Sequence, residues 1–371
     1  MKKTLFLILC TLALAAGGVL ALRFALPGSA PDPAPTTLPA ASPAPSLAPS
    51  LAPETPAPTE TPEAAYYTLS FVGDCTLGSS PKFPSAYSFQ NVVGENYAWP
   101  FAATRQYLED DYLTIANMEG VFTTATEAKE ALFTFKADPV YARVFSSGSV
   151  ELVSLGNNHA GDYLEPGRAD TRAALEAEGI LYADENDICL YQQGDGPLVG
   201  VYAKLYPTAW QVTEGVRRLR EAGAELIVVA AHWGLEGSYR PTLDQLTAGR
   251  AAIDAGADIV YGAHPHVLQP MEGYAGGLIL YSLGNWSFGG NTAPQDRDTA
   301  IVQVRFRRDP DGTLTLDACS AVPCSLSGSA GYNDYQPTPY EPDAPGYARV
   351  MRKLNGSFDG EDLTVDYSTL R

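Results

Sequence analysis

The chain holds only four histidines, and each one follows a short apolar run. Leu226 to Ala231 leads into His232. Ile259 to Tyr261 leads into His264 and His266, with Pro265 between them. Leu152 to Leu155 runs into Asn157, Asn158 and His159. Two further runs end in acids: Tyr67 to Val72 is followed by Gly73 and Asp74, and Leu113 to Met118 by Glu119 and Gly120, with Asn117 just before. Strand ends that hold polar groups in loops are how an α/β fold builds a site. Carboxylate, amide oxygen and imidazole together suit Zn²⁺, Mn²⁺ or Fe. One histidine in such a place is as readily a satisfied core residue as a ligand. An ordered set at five strand ends points to a divalent metal.

The elements that must position these groups alternate. Besides the runs above, strands are expected at 188–190, 198–202, 278–282, 299–306 and 313–318, where apolar runs are bounded by turn residues. Helices are expected at 99–110, at 166–178 closed by Gly179, at 214–222 and at 242–255 closed by Gly256. Asp138 and Pro139 are a cap and first-turn pair for another, to about Ser146. From Gly331 the tail has Tyr, Pro and Asp but little periodicity. The class is α/β, and many strands with few long helices imply two packed β-sheets flanked by helices.

The chain has 371 residues, with no charge in 4–22, Lys2 and Lys3 before that run and Arg23 after it. About 20 apolar residues can span a bilayer, and the basic end stays inside. Residues 1–26 therefore read as a signal anchor in the cell membrane, with the rest extracellular. Cleavage as a signal peptide, and so secretion, is the alternative. Residues 27–63 contain 12 of the chain's 29 prolines. Such a linker cannot bury enough apolar surface to fold, and as polyproline II at ~3.1 Å per residue it reaches roughly 100 Å. The folded domain is then 64–330, with 331–371 as a C-terminal extension. The net charge of −19 argues against nucleic acid as a partner. Cys319 and Cys324 are candidates to pair across a turn in an oxidising compartment; Cys75 and Cys189 read as free.

The segments FVGDCTLG, ANMEG, SLGNNHAGDY, AAHWGLEG, GAHPHVLQP and YSLGNWSFG, in that order over residues 68–325, resemble the capsule-synthesis protein CapA family of poly-γ-glutamate synthesis. The resemblance implies a calcineurin-like metallophosphatase fold, an α/β/β/α sandwich with a metal site at the strand ends. By that resemblance Asp74, Glu119, Asn158, His232, His264 and His266 are metal ligands, with Glu119 bridging, and His159 is the acid that protonates a leaving group. Glu119, Asn158, His232 and His264 would form one tight site; Asp74, Glu119 and His266 a weaker second one. Thr76 stands where such proteins carry a histidine, which is why the second site is expected to be weak. Asp162 either orients His159 or caps a helix. Asn117, Asn157, Glu236, Arg240 and Asn285 are expected at the substrate or behind the ligands. Arg240 and Lys136 are candidates to hold an anion, each with solvated surface as the alternative; Trp233 and Trp286 read as core. The family often has Tyr after the glutamate of HWGLEG, and Gly237 in its place is expected to open the pocket.

These readings lead to an exported, membrane-tethered hydrolase or transferase dependent on Mn, Zn or Fe. It would act on poly-γ-glutamate or a similar anionic cell-envelope polymer, beside membrane capsule-synthesis proteins. The alternatives are a phosphomonoesterase or phosphodiesterase with the same site, and a non-catalytic scaffold of a capsule export complex. A scaffold has no need of His159.

Overall fold

The computed structural model describes residues 20–22 and 63–365. The rest of the expected anchor and nearly all of the linker lie outside the described residues. Two sheets form the frame. The first runs, edge to edge, through Leu20–Leu22, Leu314–Ser325, Asp298–Arg308, Ala65–Thr76, Leu113–Met118, Leu152–Ser154 and Leu181–Ala183. The second runs through Met271–Tyr274, Gly277–Leu280, Ile259–Ala263, Leu226–His232, Val199–Leu205 and Cys189–Tyr191.

The alternation of side chains along each strand sorts the core into layers. Val199, Val201, Leu226, Val228 and Ala230 pack with Leu69, Phe71, Leu113 and Ile115 between the sheets. Their strand neighbours Ile227, Val229 and Ala231 face the other way, onto Val212, Val216 and Leu219 of helix Ala209–Glu221 and Ala248 and Ala252 of helix Leu243–Asp254. Val72, Ala116, Met118 and Val153 cover the outer face of the first sheet with Phe101, Phe145 and Leu175. The expected α/β/β/α order is therefore what the core clusters describe.

The central strands of each sheet pair in parallel: Ala65–Thr76 with Leu113–Met118, that strand with Leu152–Ser154, and Leu226–His232 with both Val199–Leu205 and Ile259–Ala263. Parallel pairing puts all their carboxyl ends at one edge. Gly73 is needed there because a Cβ would lie 2.2 Å from the Gly284 carbonyl oxygen. The close approach lets the Asp74 N–H donate to that oxygen at 2.8 Å.

Several expectations are corrected. The stretch 99–110 is two 3-10 turns, Trp99–Phe101 and Arg105–Tyr107. The Trp99 carbonyl accepts from Gln336 Nε2 at 3.1 Å and the Trp99 indole donates to the Asp334 carbonyl at 2.7 Å, so tertiary bonds hold this segment in turns. The helix expected from 214 begins at Ala209, because Thr208 and Gln211 form a capping box. The tail contains a helix, Pro345–Leu354, whose Tyr347, Val350, Met351 and Leu354 join the core between the sheets; the extension is built into the domain. Cys319 and Cys324 lie on one strand with no turn between them, five positions apart and so on opposite faces. One joins the core between the sheets and the other the outer cluster, and both are free thiols, as are Cys75 and Cys189.

Candidate metal centre and cleft

The strand ends bring the expected ligands together. Glu119 Oε1 lies 3.6 Å from His232 Nε2 and 3.9 Å from His266 Nε2. Donor atoms of Glu119, His264 and His266 all lie within 4.8 Å of one another. That trio takes one histidine from each of the two expected sites plus the carboxylate they share, as adjacent sites bridged by Glu119 require. Asp74 is tied at both oxygens: Oδ1 accepts from Asn117 Nδ2 at 2.9 Å, and Oδ2 accepts the His264 N–H at 3.2 Å and lies 3.3 Å from His266 Nδ1. Thr76 Oγ1 donates to Glu119 Oε2 at 3.5 Å.

The atoms left without partners test whether a metal fits. Glu119 Oε1, Asn158 Oδ1, His232 Nε2 and His264 Nδ1 are buried and have no hydrogen bond. A buried polar atom without a partner costs about 1–3 kcal/mol. Four of them, each an oxygen or nitrogen of the kind that binds Zn²⁺ or Mn²⁺, fit a divalent cation. His264 and His266 also hold φ of 97° and 57°, outside the regions that side-chain-bearing residues prefer. Such conformations cost of order 1–3 kcal/mol and persist where the surroundings impose them, often at functional sites.

Charge agrees with this. Burial keeps His232 well below its ordinary range, and burial with the neighbouring His266 lowers His264 to about 4. Both rings are therefore neutral with lone pairs available near pH 7. Burial, with Asp74 adding, lifts Glu119 to about 7. His266 differs: burial opposes its charge, but Glu119 and Asp74 outweigh burial and raise it to about 10. A positive charge is thus favoured among these carboxylates even without a metal.

Residues behind the ligands fix them. Asn117 Nδ2 lies 3.4 Å from His232 Nδ1. Asn157 donates to the Met118 carbonyl at 2.8 Å and accepts the His159 N–H at 3.1 Å. Asn285 lies 2.9 Å from His266 Nδ1 and donates to the His266 carbonyl at 3.1 Å. His159 Nδ1 is 2.8 Å from Asp162 Oδ2, so Asp162 orients the ring, which leaves Nε2 for the cleft. Phe135 N–H also donates to that oxygen at 2.6 Å, and the Phe135 ring lies 4.6 Å from the His159 ring.

Sequence reasoning missed two members. Tyr206 OH lies 2.8 Å from His264 Nε2. It follows a strand whose Leu205 is in register with His232, so the rule that found His232 also reaches Tyr206. Lys129 pairs with Asp162 Oδ1 at 2.8 Å and donates to the Asn158 carbonyl at 2.7 Å. It sits in an aperiodic loop, and no sequence signal marks it.

The site opens into a cleft of about 1050 Å³ lined by His159, His266, Asn158, Glu236, Asn285 and Phe288, among others. Arg240 does not line it: the guanidinium bonds Asp362 at 2.9 Å and the Gly360 carbonyl at 3.0 Å, because the tail passes over it. Lys136 is spent on the Ala125 carbonyl at 2.6 Å and the Tyr163 ring at 4.8 Å. Trp233 and Trp286 are core, 3% and 0% exposed. Gly237 lines the cleft, and Leu363 and Val365 take up the space that a side chain there would need.

Two sheets packed face to face, helices outside, and carboxylate, amide and imidazole donors at one edge define a metallophosphatase-like sandwich. Residues 68–184 and 193–289 match the model of the bacterial capsule synthesis protein PGA_cap, and the chain belongs to that family. It is 28% identical over 291 residues to the capsule biosynthesis protein CapA of Bacillus anthracis, covering 70% of this chain and 68% of that one. It is 28% identical over 300 residues to the PGA biosynthesis protein CapA of Bacillus subtilis, covering 72% and 77%. Among solved structures, a purple acid phosphatase from yellow lupin (Lupinus luteus) seeds aligns with a TM-score of 0.32 at 10% identity, over 70% of this chain and 54% of that one.

Proposed function

We propose that this protein is a metal-dependent hydrolase or transferase of capsule or poly-γ-glutamate biosynthesis, working outside the cell on an anionic envelope polymer. The observation that carries it is the set of four buried atoms without hydrogen bonds, on Glu119, Asn158, His232 and His264, beside a cleft lined by Asn158, His159 and His266. Glu119, Asn158, His232 and His264 would hold the tighter metal, with Asp74 and His266 completing a second site around Glu119. A divalent metal there supplies a Lewis acid and lowers the pKa of water toward 7. The chain's own residues do the rest. His159 Nε2 faces the leaving group and gives it a proton, while Asp162 holds Nδ1. Lys129 fixes Asp162 and the Asn158 backbone together.

The N-terminal anchor and the proline-rich spacer belong to the same reading. Leu20–Leu22 pairs with Cys319–Ala321, so the spacer holds the domain off the membrane only when that strand is released from the sheet. Among the described residues no helix is long and apolar enough to cross a membrane.

The deciding experiment uses residues 64–371 loaded with Mn²⁺ or Zn²⁺. Metal-dependent cleavage of poly-γ-glutamate is the expected result. Cleavage of a phosphodiester alone would move the assignment to a phosphoesterase. No turnover of either by a fully loaded protein would leave the scaffold reading.

A further inference from the structure

The last described residues form a strap across the metal centre's rim. Asp362 anchors it: its carboxylate accepts from the Tyr239 N–H at 2.9 Å, Ser238 Oγ at 3.1 Å and Arg240 Nη1 at 2.9 Å. Leu363 N–H then donates to the Gly237 carbonyl at 2.9 Å, and Gly237 N–H donates to the Pro265 carbonyl at 2.8 Å. Pro265 lies between the two histidines of the H-P-H turn, so a continuous hydrogen-bonded path joins the strap to that turn. Gly237 sits at φ +77°, and a Cβ there would meet the Leu363 carbonyl oxygen at 2.9 Å and Val365 Cγ2 at 3.0 Å. Glycine suits the position both by conformation and by the closeness of the strap. Phe358 seats the start of the segment against Tyr239, ring to ring at 4.8 Å.

Beyond Asp362 the side chains change character. Leu363, Thr364 and Val365 line the cleft together with His159, His266 and Phe288. They are uncharged; of the two strap carboxylates, Asp362 is turned onto Ser238, Tyr239 and Arg240, and neither it nor Glu361 lines the cleft. This wall meets a substrate by shape and packing.

We propose that residues 360–365 are a specificity-determining wall of the cleft, one that limits the size of the group beside the reacting centre. The inference rests on the hydrolase reading above and deepens it. The position of the wall implies that a small substituent passes and a bulky one meets Leu363 and Val365.

The test compares p-nitrophenyl phosphate with bis(p-nitrophenyl) phosphate, using Mn²⁺-loaded wild type, a chain ending at Asp359, and Asp362→Ala. Removing or releasing the wall should raise the diester-to-monoester ratio of kcat/KM by about tenfold, chiefly through the KM of the diester, with metal content held. A ratio within twofold of wild type in a folded variant overturns the proposal. If the shortened chain does not fold, Asp362→Ala decides alone. If loaded wild type binds both esters and turns over neither, cleavage of poly-γ-glutamate still decides the hydrolase reading. The same ratio taken from equilibrium-dialysis affinities then judges the wall.

Discussion

Glu119 Oε1 and His232 Nε2 face each other at 3.6 Å, both on side chains 1% exposed and neither with a hydrogen bond. Two such atoms destabilise a metal-free fold and are relieved together by one cation. Added Mn²⁺ or Zn²⁺ should therefore raise the melting temperature, by the equivalent of about 2.7 kcal/mol at a hundredfold excess over Kd. His232→Ala should abolish that rise. Differential scanning calorimetry with and without metal checks both.

Metal stoichiometry should be asymmetric. The set of Glu119, Asn158, His232 and His264 has free donor atoms, whereas Asp74 is already bonded to Asn117 and His264 and lies against His266. Thr76 donates to Glu119 instead of standing as an imidazole ligand. After extensive dialysis about one metal per chain should remain, and His232→Ala should empty the protein more fully than Asp74→Ala. Two equivalents by elemental analysis, without added metal, would contradict this.

His159→Ala should lower turnover by about 10²–10⁴-fold and leave metal content nearly unchanged. Asp162→Asn should lower kcat more than it raises KM, because it disturbs the ring's orientation and not the metal. Steady-state kinetics alongside metal analysis separates the two roles. Metal loss in His159→Ala would make His159 a ligand.

Away from the site, Glu151 sets a pH dependence of stability. Burial, with Asp111 adding, lifts its carboxyl to about 7, and burial lifts Asp111 to about 6. Below about pH 3 both acids are protonated, folded or unfolded, and contribute no difference. As pH rises toward 7 the unfolded chain ionises first, so folding stability falls through that window. For Glu151 the loss is up to roughly 3 kcal/mol. Glu151→Gln keeps an acceptor for the Thr114 N–H, now bonded at 2.8 Å, and should make the decline shallower, leaving the parts due to Asp111, Asp258 and Glu119. Urea melts between pH 4 and 8 would show it; an unchanged slope would contradict it.

The frame, and which groups meet at the strand ends, were legible in the sequence. Apolar runs ending in Asp74, Glu119, Asn158, His232 and His264 are local patterns. A buried strand declares its length and its end through composition alone, so Leu113–Met118 was legible to the residue. Asp138 likewise declared the helical turn that starts at Pro139 through capping chemistry. Tertiary structure decided what depends on neighbours distant in the chain. Lys129 reaches Asp162 and Asn158 from a loop without periodicity, and Arg240 meets Asp362 across 122 positions. The helix Pro345–Leu354 was legible but missed, since Tyr347, Val350, Met351 and Leu354 stand at i, i+3, i+4 and i+7 behind a proline in the first turn. Gly237 shows the difference most plainly. A missing side chain read in sequence is empty space, but in the fold that space belongs to Leu363 and Val365, because packed interiors leave little volume unclaimed.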